Sequence, residues 1–191
     1  MRIQPAQISH ARELAYLINL AGEGIPDYLW QSMAENGETP LEVGTSRAAR
    51  EEGSFSYRNA KVCIDDEQIQ GMMVSYQQPT PYNIEDLADY PAIIQPLVRL
   101  ESLAPGSWYI NAIATFEQHR GKGVARQLIQ EAENSARAAG CNLVSLIVAS
   151  ENSPALQLYL KLGYQVMSSL PVTPYPGCLH GGEWELMTKQ L

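Results

Sequence analysis

The run Gln118-His119-Arg120-Gly121-Lys122-Gly123-Val124-Ala125-Arg126 places two glycines among three full positive charges. An apolar, strand-like stretch from Trp108 to Thr115 precedes it, and an amphipathic helical pattern follows. A strand that turns through glycines into a helix start leaves backbone N–H groups unpaired and pointing outward. The helix dipole adds partial positive charge at the same place. Together these features suit a phosphate or pyrophosphate.

Three phosphate-binding patterns compete for this run. A P-loop needs a Lys-Ser or Lys-Thr pair after its second glycine; here Gly123 is followed by Val124, so the metal-binding hydroxyl is missing. A dinucleotide fingerprint needs a third glycine where Arg126 stands, and it belongs early in a chain. The pattern R-x-x-G-x-[GA] is satisfied by Arg120, Gly123 and Ala125.

The elements that must position this turn are read from periodicity. Residues 2–5 form an edge strand, and 9–21 a helix capped by Ser9 with an apolar stripe from Ala11 to Ala21. Pro26 opens a second helix to Ala34, and Pro40–Glu52 reads as a third. Ser56–Asp65 and Gln68–Gln77 read as a β-hairpin. Residues 79–107, rich in proline, form a long excursion with one short helix near 91–101. Strand Trp108–Thr115, helix Gly123–Ala139 and the nearly all-apolar strand Leu143–Ala149 make a right-handed β–α–β crossover. Ser153 caps the next helix, with Pro154 at its first position, and Gly163 ends it. Strands Tyr164–Met167 and Gly182–Thr188 complete the chain.

The 191 residues suffice for one well-buried core, and the whole chain, 1–191, is read as one domain. A formal net charge of −8 argues against non-specific binding to nucleic acid or anionic membranes. It is compatible with cationic substrates such as amines, and equally with solubility alone. Cys63, Cys141 and Cys178 are too far apart in sequence for a zinc site or a disulfide framework. No run approaches a membrane span, and a cytoplasmic location is expected.

Around the glycine turn, Ile-Ala-Thr-Phe-Glu-Gln-His-Arg-Gly-Lys-Gly-Val-Ala-Arg-Gln-Leu, and around Glu-Asn-Ser-Pro-Ala-Leu-Gln-Leu-Tyr-Leu-Lys-Leu-Gly-Tyr, the chain resembles the GCN5-related N-acetyltransferase (GNAT) superfamily. The resemblance is strongest over 108–167 and covers most of the chain in element order. It implies an acyl-CoA N-acyltransferase fold: a mixed, mostly antiparallel sheet of six or seven strands, splayed at its middle, with helices on both faces. It also implies a donor-binding core at 108–167 and acceptor-side elements within 1–107.

Acetyl-coenzyme A is the implied co-substrate, with no metal. Backbone N–H groups from Arg120 through Gly121, Lys122, Gly123 and Val124 to Ala125 would hold its pyrophosphate. The Arg120 and Arg126 side chains are candidates for further phosphate contacts, Arg126 having an equal claim to being a solvated helix charge. The backbone of Ile113, Ala114 and Thr115 would pair with the pantetheine amides like an added strand. Asn152 and Ala155 fall in the pantetheine-contacting stretch. Tyr159 is the implied acid that protonates the leaving thiolate.

The general base has no such assignment. Relatives often carry a carboxylate on the strand before the turn, where this chain has Asn111, which cannot accept a proton as a base. A water relay, Glu183, Glu185, His180 and Glu101 all stay open, and Tyr109, Tyr82 and Trp30 are candidates either for an acceptor pocket or for packing. The implied reaction is direct attack of a primary amine on acetyl-coenzyme A in a ternary complex. The acceptor is expected to be a small-molecule or peptide amine, with no nucleic-acid or membrane partner, and a homodimer is one of the assemblies left open. An acyl-CoA-binding sensor without efficient turnover is the rival from another class, kept alive by Asn111.

Overall fold

The computed structural model describes residues 1–191. Seven strands form one mixed sheet: β1 (Arg2–Pro5), β2 (Ala60–Asp65), β3 (Gln68–Gln77), β4 (Trp108–Thr115), β5 (Leu143–Ala149), β6 (Gln165–Pro171) and β7 (Glu183–Gln190). Their order is β1-β2-β3-β4-β5-β7-β6. Six α-helices accompany them: α1 (Ala11–Ala21), α2 (Ile25–Met33), α3 (Pro40–Ala48), α4 (Gln95–Glu101), α5 (Val124–Ala138) and α6 (Ser153–Lys161).

The chain clusters into two compact units, Met1–Ser75 with Asn111–Glu131, and Tyr76–Ile110 with Ala132–Leu191. The boundaries fall inside β3, β4 and α5, so these elements belong to both.

In the first unit β1, β2 and β3 pair antiparallel. The β2–β3 turn holds Asp66 and Glu67 at positive φ, the two-residue geometry that matches strand twist. Leu14, Leu17 and Ile18 of α1 are buried, as are Met72, Met73 and Val74 of β3 and Leu128 and Ile129 of α5. Each such side chain contributes about 1.5–3 kcal/mol on leaving water. A glycine in β3 has a packing reason: a Cβ at Gly71 would lie 2.6 Å from the Ala114 carbonyl oxygen and 3.0 Å from Val124. Gly71 therefore lets β3 run close beside the strand that leads into the glycine turn.

In the second unit β5 pairs antiparallel with β7 along its whole length, and β7 with β6. The parallel ladder joins Trp108, Tyr109 and Ile110 of β4 to Val144, Ser145 and Leu146 of β5. It thus covers only the start of β4, which runs on to Thr115. Leu100, Val144, Leu146, Leu186, Met187 and Tyr164 are fully or almost fully buried. Glu133 of α5 accepts hydrogen bonds from Lys189 of β7 at 2.7 Å and from the Tyr164 hydroxyl at 3.4 Å, pinning helix to sheet.

Several local expectations are corrected. Ser9 does not cap α1: a 3-10 turn at Ile8–His10 precedes the helix, tied by the Gln7 amide to His10 Nδ1 at 3.1 Å. The third helix ends at Ala48, and its start is held by a Thr39–Glu42 capping box, the Thr39 amide donating to Glu42 at 2.7 Å. Residues Tyr57–Asn59 turn as a 3-10 segment before β2, because the Ser56 hydroxyl donates to the Arg50 carbonyl and accepts from the Arg58 amide. The cap of α6 is Asn152, whose Oδ1 accepts from the Ala155 amide at 3.4 Å, and Ser153 is the first helical residue. The last two strands extend to Pro171 and Gln190. Proline is tolerated at the end of β6 because that strand lies at the sheet edge.

Candidate active site

The glycine turn lies in the first unit. β4 delivers Ile113, Ala114 and Thr115, a 3-10 turn at Glu117–His119 bends the chain, and Gly121 and Gly123 take φ of 73° and 83°. That left-handed backbone disfavours any Cβ. No protein atom lies within 4 Å of a Cβ built at either glycine, so the turn faces open space.

The first helical bond of α5 runs from the Gln127 amide to the Gly123 carbonyl at 3.1 Å. The amides of Val124, Ala125 and Arg126 precede that bond and emerge from the helix end without an intrahelical acceptor. Val124 is buried and anchors the turn from below, while Arg120, Lys122 and Arg126 are exposed around it. The Arg120 amide is used internally, donating to Glu117 at 3.1 Å, which leaves its side chain as the part able to meet a phosphate. Thr115 Oγ1 is buried with no hydrogen-bond partner in the protein.

The second unit carries α6. The Asn152 cap occupies its Oδ1 with the helix end, so this residue has a structural task that its sequence position did not reveal. Ala155 at the same helix start is half-buried. Tyr159 is buried at 7% exposure, its ring 6.0 Å from that of Tyr164. Burial alone raises its phenol above the ordinary tyrosine range, with no hydrogen bond contributing. It therefore stays protonated through neutral pH and is available as a donor.

The same unit gathers residues that are scattered in sequence. Glu101, the last residue of α4, accepts from the Tyr82 hydroxyl at 2.6 Å through Oε2 and from the Tyr109 hydroxyl at 3.1 Å through Oε1. The Tyr76 ring meets Tyr109 edge-on at 6.1 Å. Burial lifts the Glu101 carboxyl above its ordinary value, and the two phenol donors only partly oppose this. The other acids named from sequence stand elsewhere: Glu183 accepts from Ser169 at 2.8 Å, and Glu185 on β7 has one buried oxygen without a partner. Trp30 is a packing residue, because its ring covers Gly44 of α3 so closely that a Cβ there would clash.

Two features escaped sequence reading. Glu23, between Gly22 and Gly24, is 5% exposed and holds φ of 55°, a conformation that costs a non-glycine residue on the order of 1–3 kcal/mol. Gly71 is the other, and an isolated glycine inside a strand pattern was its available signal.

The family model for the acetyltransferase (GNAT) family matches residues 26–164, a span that contains both α6 and the glycine turn. The chain belongs to the GNAT acetyltransferase family. Comparison with curated proteins finds no match. Among solved structures, this GNAT protein is similar to a Drosophila melanogaster polyamine N-acetyltransferase that catalyses formation of N-acetylagmatine, at 16% identity and TM-score 0.70, covering 100% of this chain and 99% of that one. It is similar to a Staphylococcus aureus N-acetyltransferase at 16% identity and TM-score 0.66, covering 99% and 100%. A ribosomal-protein-alanine N-acetyltransferase from Brucella melitensis follows the same fold at 17% identity and TM-score 0.63, covering 100% of both chains. At these identities the likeness is one of fold. No helix is long and apolar enough to cross a membrane, and no group of three or more His, Cys, Asp or Glu is placed to hold a metal ion.

Proposed function

We propose that this GNAT protein transfers an acetyl group from acetyl-coenzyme A to a primary amine, by direct attack in a ternary complex. The observation that carries the reading is the glycine turn at the start of α5. Two left-handed glycines and the unpaired amides of Val124, Ala125 and Arg126 present a cradle facing open space, as an anion-binding helix start requires. In this reading the pyrophosphate sits on that cradle, with Lys122 and the side chains of Arg120 and Arg126 at its rim. The pantetheine arm pairs with Ile113, Ala114 and Thr115, where β4 has run past its short ladder with β5. Asn152 and Ala155 flank the arm, and Tyr159 protonates the departing sulfur. The backbone at Ile113 and Ala114 steadies the negative charge that grows on the carbonyl oxygen.

Residues 108–167 then act as the donor-binding core of a single 1–191 domain, with acceptor-side elements within 1–107. The acceptor is an amine, in keeping with the fruit-fly neighbour being a polyamine N-acetyltransferase. No cysteine is cast as nucleophile. Cys63 and Cys141 are buried thiols that burial pushes up, which disfavours the reactive thiolate.

A thermal-shift panel tests the donor. A ligand that binds only the folded state raises the melting temperature. Acetyl-coenzyme A should stabilise the protein, whereas ATP and NAD should leave it unchanged. Stabilisation by ATP or NAD alone would overturn the reading.

A further inference from the structure

We propose that Glu101, framed by the Tyr82 and Tyr109 hydroxyls, is the acceptor site: it binds the ammonium group of a small primary alkylamine and takes its first proton. This rests on the acetyl-transfer reading above for the fate of the amine, but not for its binding.

The geometry comes from three separate segments. Tyr82 and α4 belong to the 79–107 excursion, and Tyr109 belongs to β4. Both carboxylate oxygens of Glu101 are fixed by phenols, so its orientation is set before any ligand arrives. Taking a carboxylate out of water is costly unless a cation or a full set of donors compensates. Here the groups that shift Glu101 are the Tyr82 and Tyr109 hydroxyls and the Gln78 side chain, and no cation is among them. Tyr76 bears on both phenols and Tyr90 on that of Tyr82.

A half-buried carboxylate with neutral donors and no cation is a site that a bound ammonium would complete. Each phenol oxygen, having donated its hydrogen to Glu101, keeps a lone pair able to accept from an ammonium. Tyr109 directly precedes Ile110, the last β4 residue paired with β5. Tyr109 itself is only 4% exposed. A slender alkylammonium reaches a half-buried carboxylate walled by a buried tyrosine more readily than the branched α-amine of a protein chain.

The proton balance is complete. The ammonium gives one proton to a Glu101 oxygen and becomes a neutral amine. Its lone pair forms the C–N bond to the thioester carbonyl carbon, the C–S bond breaks, and its electron pair leaves on sulfur. The sulfur takes the Tyr159 hydroxyl proton, and the nitrogen's second proton restores that hydroxyl. The proton on Glu101 passes to water, so one proton is released per turnover. Because the base form is the carboxylate, kcat/KM rises with pH through the Glu101 titration, above the ordinary glutamate value of about 4.3.

The experiment uses butylammonium and phenethylammonium chloride, with 1-butanol and 2-phenylethanol as neutral counterparts, and an alanyl peptide as the protein-like amine. Without acetyl-coenzyme A, both ammonium salts should raise the melting temperature of the wild type and not that of Glu101→Gln. The alcohols should raise neither. With acetyl-coenzyme A, Glu101→Gln should lower kcat/KM for the alkylamines by about 100-fold or more and abolish the acidic limb of its pH profile. Tyr82→Phe removes a donor that holds the carboxyl down, so it should move that limb to higher pH. That shift decides the question if Glu101→Gln does not fold.

Equal ammonium stabilisation of wild type and Glu101→Gln, or of neither, would overturn the proposal. So would a limb that survives in Glu101→Gln but vanishes in Glu185→Gln. A peptide α-amine used as well as butylamine would overturn the preference for small amines. Failure of the donor reading looks different: acetyl-coenzyme A would then stabilise no variant, while the ammonium shifts would still decide Glu101.

Discussion

The donor-side turn and the Glu101 cluster are built by opposite means. The turn uses backbone. The groups proposed to bind there are amides of Val124, Ala125 and Arg126, and its special residues are glycines whose merit is the absence of a side chain. The cluster uses side-chain tips. One carboxylate and two phenols from positions 82, 101 and 109 meet within 3.1 Å. This backbone site is contiguous in sequence, whereas the side-chain cluster is assembled from segments that the fold brings together. The contrast predicts which kind of substitution each region tolerates.

Substitutions at five positions probe that contrast. The largest expected effect is Tyr159→Phe. Loss of the proton donor should lower kcat by about 100-fold or more, while acetyl-coenzyme A still raises the melting temperature as in the wild type. Unchanged kcat with a confirmed amine would remove Tyr159 from the chemistry.

Next is Gly71→Val. The added atoms meet the Ala114 carbonyl and Val124, and overpacking of this kind costs about 1–3 kcal/mol. Denaturant melts should show the loss, and acetyl-coenzyme A affinity should fall with it if, as proposed, β4 pairs with the donor.

Gly123→Ala is the sharpest test of the backbone argument. A Cβ at φ of 83° costs about 1–2 kcal/mol. Calorimetry should find acetyl-coenzyme A binding weakened roughly tenfold. Lys122→Ala, which alters only an exposed side chain at the same turn, should change it by no more than a few-fold. If Lys122→Ala proves the more damaging, the turn is a charge site and not an amide cradle.

The smallest effect is Asn152→Ala, which removes the cap of α6 and should cost about 1 kcal/mol of stability. Asn152→Asp keeps a capping oxygen and should restore the melting temperature. A raised KM for acetyl-coenzyme A that persists in Asn152→Asp would show a donor contact beyond the cap.

These opposite constructions also explain what was legible in the sequence. Arg120 to Arg126 announced itself because glycine spacing, flanking strand and following helix are all local. The sheet, expected at six or seven strands, was legible for the same reason, most strands being apolar runs bounded by turn residues; the half-polar β6 ran past its expected end at Met167. Glu101, Tyr82 and Tyr109 could each be named as candidates, but nothing in their spacing said that they touch. The caps were misplaced by small margins. Ser153 and Ser9 are good capping residues by type, yet Asn152 one position earlier takes the Ala155 amide, and the 3-10 turn at Ile8–His10 displaces the start of α1. Gly71 gave a signal, a lone glycine inside a strand pattern, but its purpose shows only once Ala114 and Val124 are known to lie against it.

The central claim is that the protein moves an acetyl group and does not merely hold its donor. The direct measurement is release of free thiol from acetyl-coenzyme A, followed with and without butylamine and matched against the N-acetyl product. The account predicts that thiol appears steadily only when the amine is present, in equal amount to the product. Firm binding of acetyl-coenzyme A, with no thiol release on addition of butylamine or of any other primary amine, would contradict it and leave the protein a sensor of acyl-coenzyme A.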